Sequence, residues 1–98
     1  MSVADTILAQ LGGSKFLAMT GAHTLLSDER ALRFRIPTSA QRINFVSVWL
    51  GPGDTYDMLF YRISNNGLEF QQIKEVRGLG TGDLRTVFTE TTGRAVSL

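Results

Sequence analysis

The chain has no cysteine, one histidine and only two prolines in 98 residues. Without cysteine there is no disulfide, no thiolate nucleophile and no cysteine-ligated zinc. His23 is alone, so no motif that sets two histidines on one metal can form, and a Ser-His-Asp relay would have to pass through that single ring. No apolar run approaches the roughly 20 residues of a membrane helix. The first residues show neither the basic start nor the apolar stretch of a signal peptide, so an intracellular protein is expected. Ten Lys+Arg against nine Asp+Glu leave a net charge of +1, too even for a grip on DNA by charge alone.

What is present is patterned for a small folded domain, and 98 residues correspond to one domain over 1–98. Ser2 is placed to cap a first helix. Asp5 stands in its first turn, Val3, Ile7, Leu8 and Leu11 fall at helical spacing, and Gly12-Gly13 provide a stop. Residues 15–22 (KFLAMTGA) are expected as a strand, with Gly21 as a bulge or weak end. Residues 27–30 (SDER) are turn-like. Residues 31–36 (ALRFRI) alternate, Leu32, Phe34 and Ile36 to one side, Arg33 and Arg35 to the other, before Pro37 ends the run.

Residues 43–50 (INFVSVWL) form the most strand-like segment, rich in β-branched and aromatic side chains. After the turn at Gly51-Pro52-Gly53-Asp54, residues 55–63 return as a strand. Asn65-Asn66-Gly67 predicts a tight hairpin, because Asn-Gly tolerates the positive φ of a type I′ turn, and residues 68–76 become the partner strand. A connector at 78–82 (GLGTG), with Thr81 or Gly82 as the cap, leads to a helix over 83–92. It carries Leu84, Val87, Phe88 and Thr91 on one stripe and stops at Gly93, before a short apolar tail at 94–98. The expected fold is α+β: a single antiparallel meander of four to five strands, with a short N-terminal helix and a C-terminal helix packed on one face.

Strand parity then sorts the side chains. The helix-covered face takes Leu32, Phe34, Ile36, Val46, Val48, Leu50, Tyr56, Met58 and Phe60. The opposite face is left with Arg33, Arg35, Phe45, Ser47, Trp49, Leu59, Tyr61 and Ile63, with Arg42 and Arg62 near strand ends. Contiguous aromatic surface of this kind marks a contact site. Two uses fit it. Phe45, Trp49 and Tyr61 can stack the bases of single-stranded nucleic acid while Arg33, Arg35, Arg42 and Arg62 meet phosphates. Alternatively the same face is buried under the N-terminal helix, or against a second copy or another protein, and the small size of the chain favours self-association.

Enzymatic chemistry is not indicated. Gly78 to Gly82 before a helix lacks the Lys-Ser/Thr of a phosphate-binding loop and the spacing of a dinucleotide fingerprint. Asp54 with Asp57 and Asp28 with Glu29 read as solvated charge, and His23 has only hydroxyls and scattered acids near it in sequence to serve as a partner. No catalytic residue, cofactor or metal is expected. Arginine outnumbers lysine eight to two, which favours bidentate recognition of carboxylate or phosphate, or a set of surface ion pairs with Asp57, Glu69, Glu75 and Glu90.

Three stretches, residues 11–22 (LGGSKFLAMTGA), 56–63 (YDMLFYRI) and 84–98 (LRTVFTETTGRAVSL), resemble a group of short proteins encoded by tailed bacteriophages and prophages. The resemblance spans most of the chain but carries no active-site signature, so no residue role follows from it. It implies expression in a bacterial host's cytoplasm and a role in phage DNA metabolism, virion assembly or interference with host defence, with a host or phage protein as partner. A meander followed by a helix also resembles, in element order alone, the fold of a single-stranded-DNA-binding coactivator.

Overall fold

The computed structural model describes residues 2–39, 41–64 and 67–93. The chain opens with two short helices. Helix α1 (Val3–Leu11) starts as its sequence predicts: the Ser2 hydroxyl accepts from the Asp5 N–H at 3.1 Å, and the Asp5 carboxylate accepts in return from the Ser2 N–H. Gly12 ends it with φ +128°. The expected strand at 15–22 is instead helix α2 (Gly13–Thr20), and Gly21 is its left-handed cap at φ +73° rather than a bulge. Lys, Leu, Ala and Met favour helix, and the i, i+4 pair Phe16 and Thr20 gives α2 one buried edge. The four consecutive apolar side chains at 16–19 hid that spacing.

Five strands follow: β1 (His23–Ser27), β2 (Ala31–Arg35), β3 (Phe45–Leu50), β4 (Tyr56–Ser64) and β5 (Glu69–Leu79). They pair in sequence order as one antiparallel meander. His23 therefore begins a strand instead of following one. The tight turn expected at Asn65-Asn66-Gly67 falls partly outside the described residues, but Gly67 has φ +89° and the flanking strands pair Ser64 with Glu69. Strand β5 runs further than expected, to Leu79. Gly78, at φ +71°, absorbs an extra residue where the register steps from Met58–Val76 to Tyr56–Leu79. A single 3-10 turn (Thr81–Asp83) leads into α3 (Leu84–Thr92). Asp83 stands at the N-cap of α3 in place of the expected Thr81 or Gly82, and its carboxylate reaches back across the turn to accept from the Gly80 N–H at 3.0 Å. Gly93 closes α3 at φ +75°, and the tail at 94–98 lies outside the described residues.

The inner face of the sheet is the one predicted. Leu32, Phe34, Ile36, Val46, Val48, Tyr56, Met58 and Phe60 join Ile7, Leu11, Phe16, Leu84 and Phe88 in one core, with Leu50 packed at its margin. At its centre Phe16, Phe34 and Phe88, from α2, β2 and α3, meet at centroid distances of 5.0–6.2 Å, two of the three pairs edge to face. This cluster ties the helices to one side of the sheet. Among the described residues the other side carries no helix, so α1, whose Ala4, Ile7 and Leu11 lie in the core, does not cover it.

Candidate functional site

The open face inherits its side chains from the register. Across β2 and β3, Arg33 stands opposite Ser47, Arg35 opposite Phe45 and Ala31 opposite Trp49. Across β3 and β4, Phe45 stands opposite Tyr61, Ser47 opposite Leu59 and Trp49 opposite Asp57. Asn44 locks the start of this ladder. Its side-chain amide donates to the Ile63 carbonyl at 2.9 Å, and its side-chain oxygen accepts the Ile63 N–H at 2.7 Å.

Of these residues Arg33, Phe45, Ser47, Trp49, Leu59 and Tyr61 line a cleft of about 510 Å³, within the range of binding pockets. Phe45 and Ser47 form its floor and are only 8% and 6% exposed, although no helix covers them. Tyr61 and Phe70 shield Phe45: the three rings lie 5.8–6.1 Å apart, Phe45 and Phe70 nearly parallel. Trp49 and Leu59 are half-buried along the walls. Phe70, 62% exposed, is the ring this face offers most openly. Phe45, by contrast, is too deep to present a free ring face for stacking.

Charge at the cleft is balanced. Asp28, Glu29, Arg30 and Arg33 line one end of it. Arg33 donates to Asp28 at 3.0 Å. The Arg33 hydrogen bond is the chief reason the Asp28 carboxyl titrates below the ordinary aspartate value, helped by the Glu29 N–H and by the Arg33 charge. The exposed Arg30 donates to the Leu50 carbonyl at 2.9 Å and to the Gly51 carbonyl at 3.2 Å. Neither arginine is left waiting for a phosphate.

Of the seven residues singled out from sequence, Arg33, Phe45, Trp49 and Tyr61 come together at this cleft. Arg35 shares their face but lines a smaller cleft beyond Phe45. Arg42 sits outside the strands, in the connection before β3, at φ +67°. Arg62 lies opposite Gln71 and has the parity of Phe60, the helix side of the sheet, so the strand-end arginines do not extend the patch. Phe70 and the acids at 28 and 29 complete the cleft, and sequence reasoning did not include them.

No cluster of three His, Asp or Glu side chains suited to a metal occurs among the described residues. The ring of His23 meets the Thr24 hydroxyl at 2.8 Å and no carboxylate. No described helix is long and apolar enough to cross a membrane. No family model, curated protein or solved structure matches the chain. Function must therefore be argued from the site itself.

Proposed function

We propose that the protein is a non-catalytic, self-assembling module that pairs with a second copy through the open face of its sheet. The carrying observation is the aromatic cleft whose rim holds two acids and two arginines, Arg33 paired with Asp28 and Arg30 hydrogen-bonded to backbone carbonyls. A rim with equal numbers of acids and arginines can meet its own image across a two-fold axis, whereas a phosphate backbone would find no excess of positive charge there. The size also suits a dimer. Strands averaging about seven residues, at about 4.8 Å spacing and about 3.3 Å rise, make a face on the order of 600 Å². Two such faces hide about 1,200 Å², the lower end of specific interfaces.

The strand edges are poorer candidates for contact. Strand β1 carries a bulge between His23 and Leu26, and β5 carries two, beside Phe60/Tyr61 and Tyr56/Met58. Bulges twist an edge away from the straight ladder that a further strand needs. The open face has no such protection.

Single-stranded nucleic-acid binding on this face is the second reading. It is favoured by one observation: Arg35, directly opposite Phe45, forms no ion pair among the described residues. Trp49 emission separates the two readings. For the dimer, the emission shifts to the red on dilution as Trp49 loses its cover, and Phe70→Glu gives the dilute spectrum at every concentration. For nucleic acid, a labelled oligonucleotide binds at low salt, releases steeply as salt rises, and is lost in Trp49→Ala. Emission that ignores concentration would overturn the dimer reading.

A further inference from the structure

The second cleft, about 250 Å³, lies at the end of the sheet and shares no lining residue with the first. Its walls are His23, Arg35, Ile36, Pro37, Thr38 and Asn44. Two of these can carry positive charge, none can carry negative charge, and His23 and Arg35 are direct cross-strand partners. Ion pairs among the described residues engage Arg33 and Arg77, while the half-buried Arg35 has none. A partly desolvated guanidinium with five donors and no carboxylate is a receptor for an oxyanion.

The backbone at this point is unusual. Between His23–Arg35 and Leu26–Arg33 the register spends three residues of β1 against two of β2, and Thr24 stands in the bulge at φ +53°. For a β-branched residue that is a strained conformation, and strain of this kind, like bulges, concentrates where a side chain must be aimed. Here it brings the Thr24 hydroxyl to 2.8 Å from Nδ1 of His23. We infer that the cleft formed by His23 and Arg35 binds a phosphate-class oxyanion. Thr24 donates to Nδ1, which leaves the proton of a neutral ring on Nε2 as a donor to the anion. Arg35 supplies a forked pair of N–H groups. Asn44, with both ends of its amide committed to Ile63, is a fixed wall rather than a ligand. The volume is below that of ordinary small-molecule pockets, so a compact anion, free or carried on a chain, is the fitting occupant.

The test is a titration of the full chain, followed by amide NMR at constant ionic strength, with inorganic phosphate in one arm and a short oligothymidylate in the other. Phosphate should give saturable shifts centred on His23 and Arg35. Arg35→Gln should weaken binding by about tenfold or more, as expected for losing a charge-assisted bidentate contact. His23→Ala should weaken it less, and Arg33→Gln, in the other cleft, should leave it unchanged. Tighter binding of the oligonucleotide with the same Arg35 dependence would identify the anion as a phosphodiester, and binding of phosphate alone would identify a free anion. Retained amide dispersion in Arg35→Gln shows that the variant is folded. Absence of saturable shifts in both arms, or shifts indifferent to Arg35→Gln in a folded variant, would overturn the inference. Because the clefts share no residue, failure here leaves the dimer reading standing.

Discussion

Gly21 shows how much one residue can fix. It adopts φ +73° to end α2, and an added Cβ would lie 3.0 Å from the Pro37 ring, so both backbone and packing disfavour a side chain there. Gly21→Ala is expected to lower stability by about 1–2 kcal/mol or more, read as a reduced midpoint in thermal or urea unfolding. Asp28 provides a second test at this scale. The Arg33 hydrogen bond lowers its carboxyl, so folding favours the ionised form. The resulting stabilisation is complete above the unfolded-state pKa and is lost as pH falls through the lowered folded value. An NMR titration should place the Asp28 midpoint below that of an ordinary aspartate, and Arg33→Gln should move it upward. Because the pair is exposed, the effect on overall stability is expected to be slight.

At the scale of elements, α2 is the sharpest disagreement between sequence and fold. Ala18 is exposed on that helix. Proline there should cost about 3 kcal/mol by removing a helical hydrogen bond and crowding the preceding turn, and helical circular dichroism would fall with it. A segment paired as an edge strand could hold the same proline with little loss. Elsewhere the elements were legible where one strong local signal acted alone: the Ser2–Asp5 box, the alternation at 31–36, and Gly93 as a stop. Strand β1 was not, because all five of its residues are exposed and leave no buried alternation to read. Phe70 could have been found. A two-residue turn at Asn66-Gly67 sets Ile63 opposite Phe70, the pairing observed, and so brings that ring to the face of Tyr61. The partnering of Arg33 with Asp28 and of Arg30 with backbone carbonyls was beyond composition, since it depends on where the β1–β2 turn sets these side chains relative to the end of β3.

Over the whole molecule, the helices and the aromatic core occupy one side of a five-stranded sheet and leave the other side to a shallow, ring-lined, charge-balanced cleft. Parity produces this asymmetry. The same alternation that supplies Phe34, Val46 and Phe60 to the core places Arg33, Phe45 and Tyr61 outside it. An uncovered face of this composition is costly to hydrate, while bulges blunt both edges, which is why the proposed pairing uses the face. Sedimentation equilibrium across the micromolar range tests this most directly. Pairing through the open face requires a mass approaching twice the chain's 10.8 kDa at the upper concentrations, and a folded Phe70→Glu variant that stays at the single-chain mass throughout. A wild-type chain that remains at the single-chain mass over the whole range would contradict it.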